Sequence, residues 1–340
     1  MESVQVSSMK AYVTGGTGFI GSHLVEQLVG QGYHVTCLIR KTSNLRWLDC
    51  LLASKSSQVE LVIGDLHDSN ELAEHVRDAD LVFHLAGLTK APDAVTYDRV
   101  NAEGTKHLIE ACVVEKTNLD RFVYCSSLAA VGPSRDATPN TEDVTPQPLT
   151  DYGSSKLKGE MVVREYADRL PVTIIRPPAV YGPRDADIFL FFQMINRGVI
   201  PILGDADKLL SLVHVKDLVS GIYTAALSER AIGETYFLTD GDIHTWRGVE
   251  RVIADVLEKR PLKVKVPFFL LDFISIFTEA AAKITRQTPT LNRQKVQDLK
   301  QRFWICDSTK AQKELGYRPI YPLQKGIQET ADWYRANGWL

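Results

Sequence analysis

Two hydrophobic periods alternate along the first half of the chain. Short runs rich in β-branched and apolar residues predict strands at Ala11–Thr14, His34–Ile39, Val59–Ile63, Leu81–Leu85, Arg121–Cys125 and Val172–Ile175. Between these runs, apolar residues recur at helical spacing in Ile20–Val29, Leu72–Val76, Val100–Val114 and Ser155–Ala167. Strands that alternate with helices in this way predict an α/β fold with a parallel sheet and helices on both of its faces.

The second half of the chain follows a less regular pattern, because three prolines interrupt it soon after the sixth predicted strand. Further elements are predicted by apolar spacing: helices near Asp187–Asn196, Asp217–Leu227, Trp246–Leu257 and Ile327–Ala336, one strand near Thr235–Leu238, and a strongly apolar helix at Val264–Ile284. Residues 133–150 hold four prolines among polar residues. They predict a long loop, and a loop of that length in a compact domain is usually functional.

The composition is that of an ordinary globular protein, with 44% hydrophobic and 24% charged residues among 340. It excludes a disordered chain, a collagen-like fibre and a small disulfide scaffold. The 39 basic and 42 acidic residues give a formal net charge of −3, so the chain has no global electrostatic reason to bind nucleic acid. The five cysteines form neither a CxxC motif nor a zinc-type cluster. We therefore expect reduced thiols in a cytoplasmic protein, and no metal site.

No segment of the sequence indicates a secretory signal or a membrane span. Residues 1–8 are polar and lack the basic and apolar regions of a secretory signal. The most apolar stretch, Val264–Ala282, is interrupted by Lys265, Asp272 and Glu279. An integral membrane span needs about 20 mostly apolar residues, so none is expected here.

A glycine-rich loop, TGGTGFIG at residues 14–21, follows the first predicted strand and opens the first predicted helix. In a loop of the Rossmann type, Gly15 supports a tight turn, Gly18 lets the backbone approach a pyrophosphate, and Gly21 permits close contact between helix and strand. The phosphates then lie at a helix N-terminus, where free N–H groups favour anions. The loop residues predicted to bind a dinucleotide are Gly15, Thr17, Gly18, Phe19, Ile20 and Gly21.

The end of the second strand indicates which dinucleotide is bound. An NAD site usually has an acidic residue there, whereas this chain reads Leu38, Ile39, Arg40, Lys41. Arg40 can pair with a 2′-phosphate, which favours NADP, with NAD still open; alternatively, Arg40 is a solvated charge at a strand end. After the third strand, Asp65 and Leu66 follow Gly64. The Asp65 carboxylate either accepts from the adenine amino group or caps a turn.

A candidate proton-transfer pair lies in YGSSK, where Tyr152 and Lys156 share one face of a predicted helix. A lysine ammonium beside a phenol favours the phenolate and lowers its pKa, as a general acid/base near neutral pH requires. Ser126 and Ser127 end the fifth predicted strand, and strand carboxyl ends face the ligand crevice of such sheets. Ser127 can therefore bond a substrate carbonyl; otherwise both serines are small turn residues.

Seven segments occur in an order that resembles the extended short-chain dehydrogenases/reductases, also called the NAD-dependent epimerase/dehydratase family. They are TGGTGFIG, HLAG (84–87), VNAEGT (100–105), CSSLAAVG (125–132), YGSSK (152–156), RPPAVYGPRD (176–185) and LVHVKDL (212–218). The resemblance covers essentially the whole chain. It implies a Rossmann-type, doubly wound NAD(P)-binding domain at 9–180, with segments near 212–240 returning to it. Residues 181–340 are then mainly a smaller, mostly helical substrate-binding lobe.

The resemblance also implies roles for individual residues. Tyr152 is the general acid/base, Ser127 orients the substrate, and Lys156 binds the nicotinamide ribose and lowers the tyrosine pKa. Asn101 supports the site from the central helix or is a buried polar group of helix packing. The residues implied to lie along the cofactor or near its nicotinamide are Leu85, Ala86, Gly87 and Pro177.

Two departures from the family pattern indicate which branch of the family this chain resembles. The chain lacks the asparagine that often follows Arg176 in nucleotide-sugar enzymes and the Asp–Glu pair of sugar 4,6-dehydratases. It resembles instead the branch with 3β-hydroxysteroid dehydrogenases and dihydroflavonol-type reductases. This implies an NADP(H)-dependent oxidoreductase that interconverts a secondary alcohol and a ketone on an apolar or polycyclic, steroid- or flavonol-like molecule. Two rivals stay open: a nucleotide-sugar epimerase with tightly bound NAD, and a non-catalytic NADP sensor.

Two further expectations concern contacts. The family implies a homodimer through the helices near 100–114 and 152–168. The apolar segment Pro267–Ile284 holds more large apolar residues than one buried helix stripe requires. It packs against the lobe, lines an apolar substrate pocket or touches a membrane surface.

Overall fold

The structure is a computed structural model that describes residues 9–115, 119–203, 208–285 and 292–340. Its strands are β1 Lys10–Thr14, β2 His34–Ile39, β3 Val59–Ile63, β4 Leu81–His84, β5 Arg121–Cys125, β6 Val172–Arg176, β7 Ala179–Tyr181, β8 Val199–Leu203, β9 Leu209–His214, β10 Thr235–Phe237, β11 Ile243–Thr245, β12 Leu262–Val266 and β13 Phe303–Trp304. The six strands predicted in the first half are all present, with ends that differ by at most one residue.

The helices of the described residues are α1 Phe19–Gly30, α2 Asp49–Lys55, α3 Ser69–Val76, α4 Ala94–Asp98, α5 Gly104–Glu115, α6 Asp151–Glu165, α7 Phe189–Asn196, α8 Val215–Leu227, α9 Trp246–Val256, α10 Phe268–Thr285, α11 Arg293–Lys300, α12 Thr309–Leu315 and α13 Leu323–Ala336. A π-helical turn, Arg99–Glu103, leads into α5, and a short 3₁₀ turn, Leu128–Ala130, follows β5.

The central sheet is parallel throughout, with the strand order β10-β6-β5-β4-β1-β2-β3. Strands β4, β5 and β6 are buried along their whole length, because helices cover both faces of a parallel sheet. On one face, Leu24 of α1 and Leu218 of α8 join the apolar core. On the other face, Leu108 of α5 and Val163 of α6 do so. The Rossmann-like α/β fold predicted from the sequence is confirmed.

The chain returns to this sheet after β9. Strand β10 pairs with β6 in parallel, with Thr235 opposite Ile174. Helix α8 packs beside α1 on the same face of the sheet. The division of the chain at residue 180 into a cofactor domain and a substrate lobe stays a prediction.

The C-terminal region is helical, as predicted, but it also contains strands that the sequence analysis did not foresee. Strand β9 pairs with β7, β11 and β13, and β12 pairs with β8. A third apolar core forms around Phe192, Ile253 and Tyr334. The prediction of one helix from residue 264 is wrong, because LKVKV at 262–266 alternates with a period of two and pairs Leu262 with Val199. The helix begins only at Phe268.

The long loop predicted at 133–150 contains no helix and no named strand. It is tied along the segment that follows β13: Ser134 N donates to Phe303 O at 2.8 Å, and Asn140 N donates to Ile305 O at 3.1 Å. The loop therefore connects the end of β5 to α6 by a defined path. Within the described residues, no helix combines the length and apolarity that crossing a bilayer demands. All five cysteines are free thiols.

Candidate active site

The glycine-rich loop has the geometry that a phosphate-binding turn requires. Gly15 has a φ of +76°, and a Cβ built there would lie 2.7 Å from the backbone N of Ala86. A Cβ at Gly21 would lie 2.1 Å from Gly15 O, so helix α1 approaches the loop as only glycine allows. Gly18 caps α1 with extended backbone and has no side chain to bond the first N–H groups. Those N–H groups are thus available to an anion.

A cleft of about 480 Å³ opens at the carboxyl ends of strands β1 to β4. It falls within the size range of cofactor sites, roughly 300–1,000 Å³. The predicted cofactor residues that line it are Gly15, Thr17, Gly18, Arg40, Asp65, Leu66, Leu85, Ala86 and Gly87. Phe19 and Ile20 are not among the residues that line it, and their half-buried side chains pack against the apolar core. These residues fit a dinucleotide.

Arg40 follows β2 directly and lines the cleft with Ser43. The two residues form a turn, because Ser43 N donates to Arg40 O and Arg40 N donates to Ser43 Oγ, both at 2.9 Å. Asp65 Oδ1 accepts from His67 N at 2.9 Å. The turn interpretation of Asp65 is therefore observed, although the residue also lines the cleft.

Tyr152 and Ser127 meet where α6 begins beside the end of β5. Thr150 caps α6 by accepting from Gly153 N at 3.1 Å, which places Tyr152 in the first turn. Burial raises the pKa of the Tyr152 phenol to about 12, and a hydrogen bond with the Ser127 side chain opposes that rise. Ser127 Oγ also accepts from Ala129 N at 3.1 Å. The structure thus brings together the two hydroxyls that the sequence analysis paired.

Lys156 lies one turn further along α6 and points into the sheet. Its ammonium donates to Cys125 O at 2.6 Å and lies 4.3 Å from the centre of the Tyr124 ring. Burial lowers the pKa of Lys156 to about 8. In this arrangement burial dominates the pKa of the phenol, and the Lys156 ammonium bonds a backbone carbonyl. The expectation that Lys156 lowers the Tyr152 pKa stays a prediction.

Asn101 lies in the π-helical turn and is completely buried. Its Oδ1 accepts from Leu88 N at 2.7 Å, while its Nδ2 donates to Leu88 O at 3.0 Å and to Ser155 Oγ at 2.9 Å. The side chain therefore connects the loop after β4 to helix α6. A π-helical turn often marks a functional site, and here it directs this amide between the two elements.

Two further residues, His84 and Pro177, support the site, and both lie in segments that the sequence analysis quoted. His84, the start of the HLAG segment, bonds Thr14 Oγ1 at 2.7 Å and Thr105 Oγ1 at 2.9 Å, and burial lowers its pKa to about 3. The neutral imidazole, which belongs to β4, therefore connects β1 to α5. Pro177 is buried after β6, and its carbonyl accepts from Leu128 N at 2.8 Å. Pro177 therefore stabilises the turn that carries Ser127.

The sequence analysis missed an ionic network beneath this site. Glu160 of α6 accepts from Arg176 Nε at 2.8 Å and Nη2 at 2.7 Å, and from Ser126 Oγ at 2.6 Å. Burial by itself raises the pKa of Glu160, but the hydrogen bonds and charge of Arg176 hold it below its usual range. The network fastens α6 to the ends of β5 and β6. No local pattern indicated it, because its members come from three separate segments.

A second pocket, of about 150 Å³, lies on the other side of Tyr152. Its lining residues are Thr89, Lys90, Ala91, Tyr97, Thr150, Tyr152, Asp187, Asn292, Gln294, Lys295 and Asp298. Gln294 of α11 fastens this wall to α6: its Oε1 accepts from Asp151 N at 2.8 Å, and its Nε2 donates to Asp151 Oδ2 at 2.7 Å. No sequence pattern described above singled out α11 as part of the site.

The family model described as the NAD dependent epimerase/dehydratase family matches residues 11–238. The chain belongs to this family. It is an enzyme of the extended short-chain dehydrogenase/reductase type, as the ordered motifs indicated. Within the described residues, no cluster of three or more His, Cys, Asp or Glu could hold a metal ion.

Two of the similar curated proteins have names that refer to lipids. A ceramide reductase of Caulobacter vibrioides is 30% identical over 332 residues, with 96% of this chain and 95% of the relative covered. A 3beta-hydroxysteroid-dehydrogenase/decarboxylase of Arabidopsis thaliana is 29% identical, with 94% and 78% covered. Among solved structures, the dTDP-glucose 4,6-dehydratase DesIV of Streptomyces venezuelae, with NAD and TYD bound, has a TM-score of 0.79 at 28% identity, covering 97% and 98% of the two chains.

Proposed function

We propose that this protein is an NADP(H)-dependent oxidoreductase that interconverts a secondary alcohol and a ketone on an apolar small molecule. One observation carries the proposal: helix α6 contributes Tyr152 to the pocket and brings Lys156 close to the wall of the cleft. Tyr152 lines the pocket and lies beside Ser127, while a Cβ built at Gly87, in the cleft wall, would lie 3.8 Å from Lys156 Nζ. A proton donor and a nucleotide cleft therefore adjoin the same small space.

The proposed roles follow from the contacts. A bound nicotinamide supplies or accepts the hydride. Ser127 donates a hydrogen bond to the substrate oxygen, and Tyr152 gives that oxygen a proton in reduction and takes one back in oxidation. Lys156 exchanges its bond with the Cys125 carbonyl for the ribose hydroxyls, and Asn101 positions α6. Residues 181–340 supply the substrate lobe, from which Asp187 and α11 line the pocket.

The preference for NADP rests on the end of β2. Arg40 and Ser43 line the cleft, and the four residues 38–41 include no acid to bind a ribose 2′-hydroxyl. An arginine at that position suits a 2′-phosphate, because its planar fork donates two charge-assisted hydrogen bonds.

The substrate class rests on the relatives. Both curated relatives described above have lipid names, ceramide and 3beta-hydroxysteroid, over nearly the whole of this chain. We therefore propose a steroid-like or ceramide-like substrate and place flavonol-like molecules second.

The test measures NADPH and NADH turnover with steroid, ceramide-type, flavonol and nucleotide-sugar substrates, each offered as alcohol and as ketone. Tyr152→Phe is expected to lower turnover about 100-fold or more while NADPH affinity stays unchanged. Tyr97→Phe is the matched control, since its ring lies 6.1 Å from that of Tyr152 in the same pocket. Full activity of Tyr152→Phe would contradict the mechanism. NAD that copurifies with the protein, together with sugar epimerisation, would favour the epimerase instead.

A further inference from the structure

Helix α10 turns its acidic residues toward the protein and its large apolar residues outward. An ordinary surface helix is oriented the other way. Asp272 and Glu279 face the rest of the protein. Asp272 accepts from Lys300 Nζ at 2.8 and 2.9 Å, and Glu279 accepts from Arg293 N at 2.7 Å. Ser275, between them on the same face, is completely buried. An ordinary surface helix buries its apolar stripe and exposes its charges.

The outward face of α10 is instead made of large apolar side chains. Phe269 is 72% exposed, Phe277 59% and Phe273 57%. The other exposed apolar side chains of this helix are Leu270, Ile274 and Ile276. Exposed apolar residues scattered singly need no explanation, whereas a contiguous group on one helix face marks an interaction surface.

The strand before the helix also exposes apolar side chains. Leu262 is 74% exposed, Val264 47%, and Val199, which pairs with Leu262 in the neighbouring strand, 41%. Paired residues of parallel strands lie on the same side of a sheet, so these three side chains form one apolar patch. We call the outward residues of α10 together with this patch the apolar face.

Positive charge accompanies the apolar face. The eight residues 259–266 contain Lys259, Arg260, Lys263 and Lys265 and no acid. Lys259 and Arg260 are exposed, whereas Lys263 and Lys265 alternate with Leu262 and Val264 and therefore point to the opposite side of β12. The two acids of α10 are paired with Lys300 and Arg293. The two bases that precede β12 therefore give this end of the apolar face a positive charge.

We propose that the apolar face docks on the surface of an anionic lipid bilayer. Phenylalanines and leucine enter the headgroup boundary, and the two bases before β12, Lys259 and Arg260, contact anionic headgroups. A second copy of this chain fits less well, because a two-fold symmetric contact on this face would bring two like-charged basic clusters together. The docking goes beyond the proposed reaction and does not depend on it.

The docked helix is next to the substrate pocket. Helix α11, which packs on α10 through the Lys300–Asp272 pair, supplies Gln294, Lys295 and Asp298 to the pocket beside Tyr152. A bilayer on the apolar face would therefore lie one helix away from that pocket.

The test is flotation of the full-length protein with vesicles of phosphatidylcholine alone and with vesicles of equal parts phosphatidylcholine and phosphatidylglycerol. Flotation is expected with the mixed vesicles and is expected to fall at high salt. Phe273→Glu/Phe277→Glu is expected to weaken binding by at least about tenfold. Lys259→Glu/Arg260→Glu is expected to weaken binding to the mixed vesicles only. The matched control Ile320→Glu changes an apolar residue that is 64% exposed elsewhere and is expected to float like the wild type.

Three results would overturn the proposal. One is wild-type protein that floats with neither vesicle, and another is equal flotation with both. The third is a phenylalanine variant that floats as the wild type does, or that instead changes only the oligomeric state in solution. The wild-type comparison decides the matter even if a variant folds poorly, and reductase activity plays no part in the readout.

Discussion

The Lys156 ammonium donates a hydrogen bond of 2.6 Å to the backbone carbonyl of Cys125. This bond joins helix α6 to the end of β5, just before the two serines. It also keeps a charge in a buried place, where burial lowers the pKa of Lys156 to about 8. The candidate proton donor Tyr152 and its lysine are therefore both perturbed by burial, which is typical of functional sites.

Lys156 should make stability depend on pH. Its pKa is about 8 in the folded protein and 10.5 in an ordinary lysine, so the fold disfavours the charged form. The penalty is complete below about pH 8 and falls progressively as the pH rises from about 8 to 10.5. Relative to Lys156→Met, the wild type should gain about 1 kcal/mol in its free energy of unfolding between about pH 6 and about pH 9. Chemical denaturation of both proteins at each pH measures this gain.

The control for this experiment is Lys158→Met, which removes an exposed lysine from the same helix. Its stability difference from the wild type should stay nearly constant over the same pH range. If the free energy of unfolding depends on pH in Lys158→Met as it does in Lys156→Met, the effect comes from the loss of a positive charge and not from burial of Lys156.

The buried pair of Glu160 and Arg176 should matter far more than an exposed one. Glu160→Gln leaves the guanidinium buried without its counter-charge and is expected to lower the free energy of unfolding by about 3–5 kcal/mol. Glu115→Gln breaks the exposed 3.0 Å pair with Arg77 and should change it by no more than about 1 kcal/mol. Urea unfolding of the two variants compares them directly; similar losses would show that burial of the Glu160 pair is unimportant.

Arg40 should set the cofactor preference. Arg40→Ala removes charge-assisted hydrogen bonds to a 2′-phosphate, so the Kd for NADPH is expected to rise about 10- to 100-fold, while the Kd for NADH changes little. Isothermal titration measures both constants. Lys55→Ala, which removes the lysine at the end of α2, serves as the control for net charge. An equal loss of both cofactors would refute the role given to Arg40.

Asp298 should make the protein less stable at high pH. Burial raises the pKa of its carboxyl from 3.8 to about 7, and its Oδ1 is buried without a hydrogen-bond partner among the described residues. The folded protein therefore holds this proton more tightly than the unfolded chain. The resulting penalty is absent below about pH 4 and grows as the pH rises through about 7.

Asp298→Asn removes that penalty. It is expected to raise the free energy of unfolding by about 2 kcal/mol near pH 8, a figure that allows for screening of a partly exposed group, and to change it little near pH 4. Denaturation at the two pH values measures the difference. Asp255→Asn, on the exposed side of α9, provides the control. A gain of the same size at both pH values would contradict the titration of Asp298.

The expected homodimer can be tested on α6. Met161 is 55% exposed and Val114, on α5, is 74% exposed, although both residues are apolar. If these helices form the dimer contact, Met161→Glu places a charge in an apolar interface and should weaken the dimer by at least about tenfold. Light scattering after gel filtration measures the mass, with Ile320→Glu as control. A dimer that persists in Met161→Glu would place the contact elsewhere.

Local patterns predicted the first half of the fold closely because its elements depend on neighbours in the sequence. The runs His34–Ile39 and Val59–Ile63 have the observed strand bounds, and the helix that carries Tyr152 was predicted from residue 155. The second half was predicted less well. The period-two alternation of Leu262–Val266 was hidden in a stretch of high average apolarity, and β12 exists only because β8 pairs with it.

The amino-acid order alone determined the glycine turn, the i, i+4 relation of Tyr152 and Lys156, and the basic end of β2, since each depends on a few adjacent residues. Tertiary structure decided which groups surround the phenol. Tyr97, Asp187 and Asp298 lie far apart along the chain and line one pocket only after α4, the segment before α7, and α11 have packed. It also decided that Lys156 faces a backbone carbonyl and that α10 turns its phenylalanines outward. Such contacts join distant segments, and local periodicity carries no information about which segments will meet.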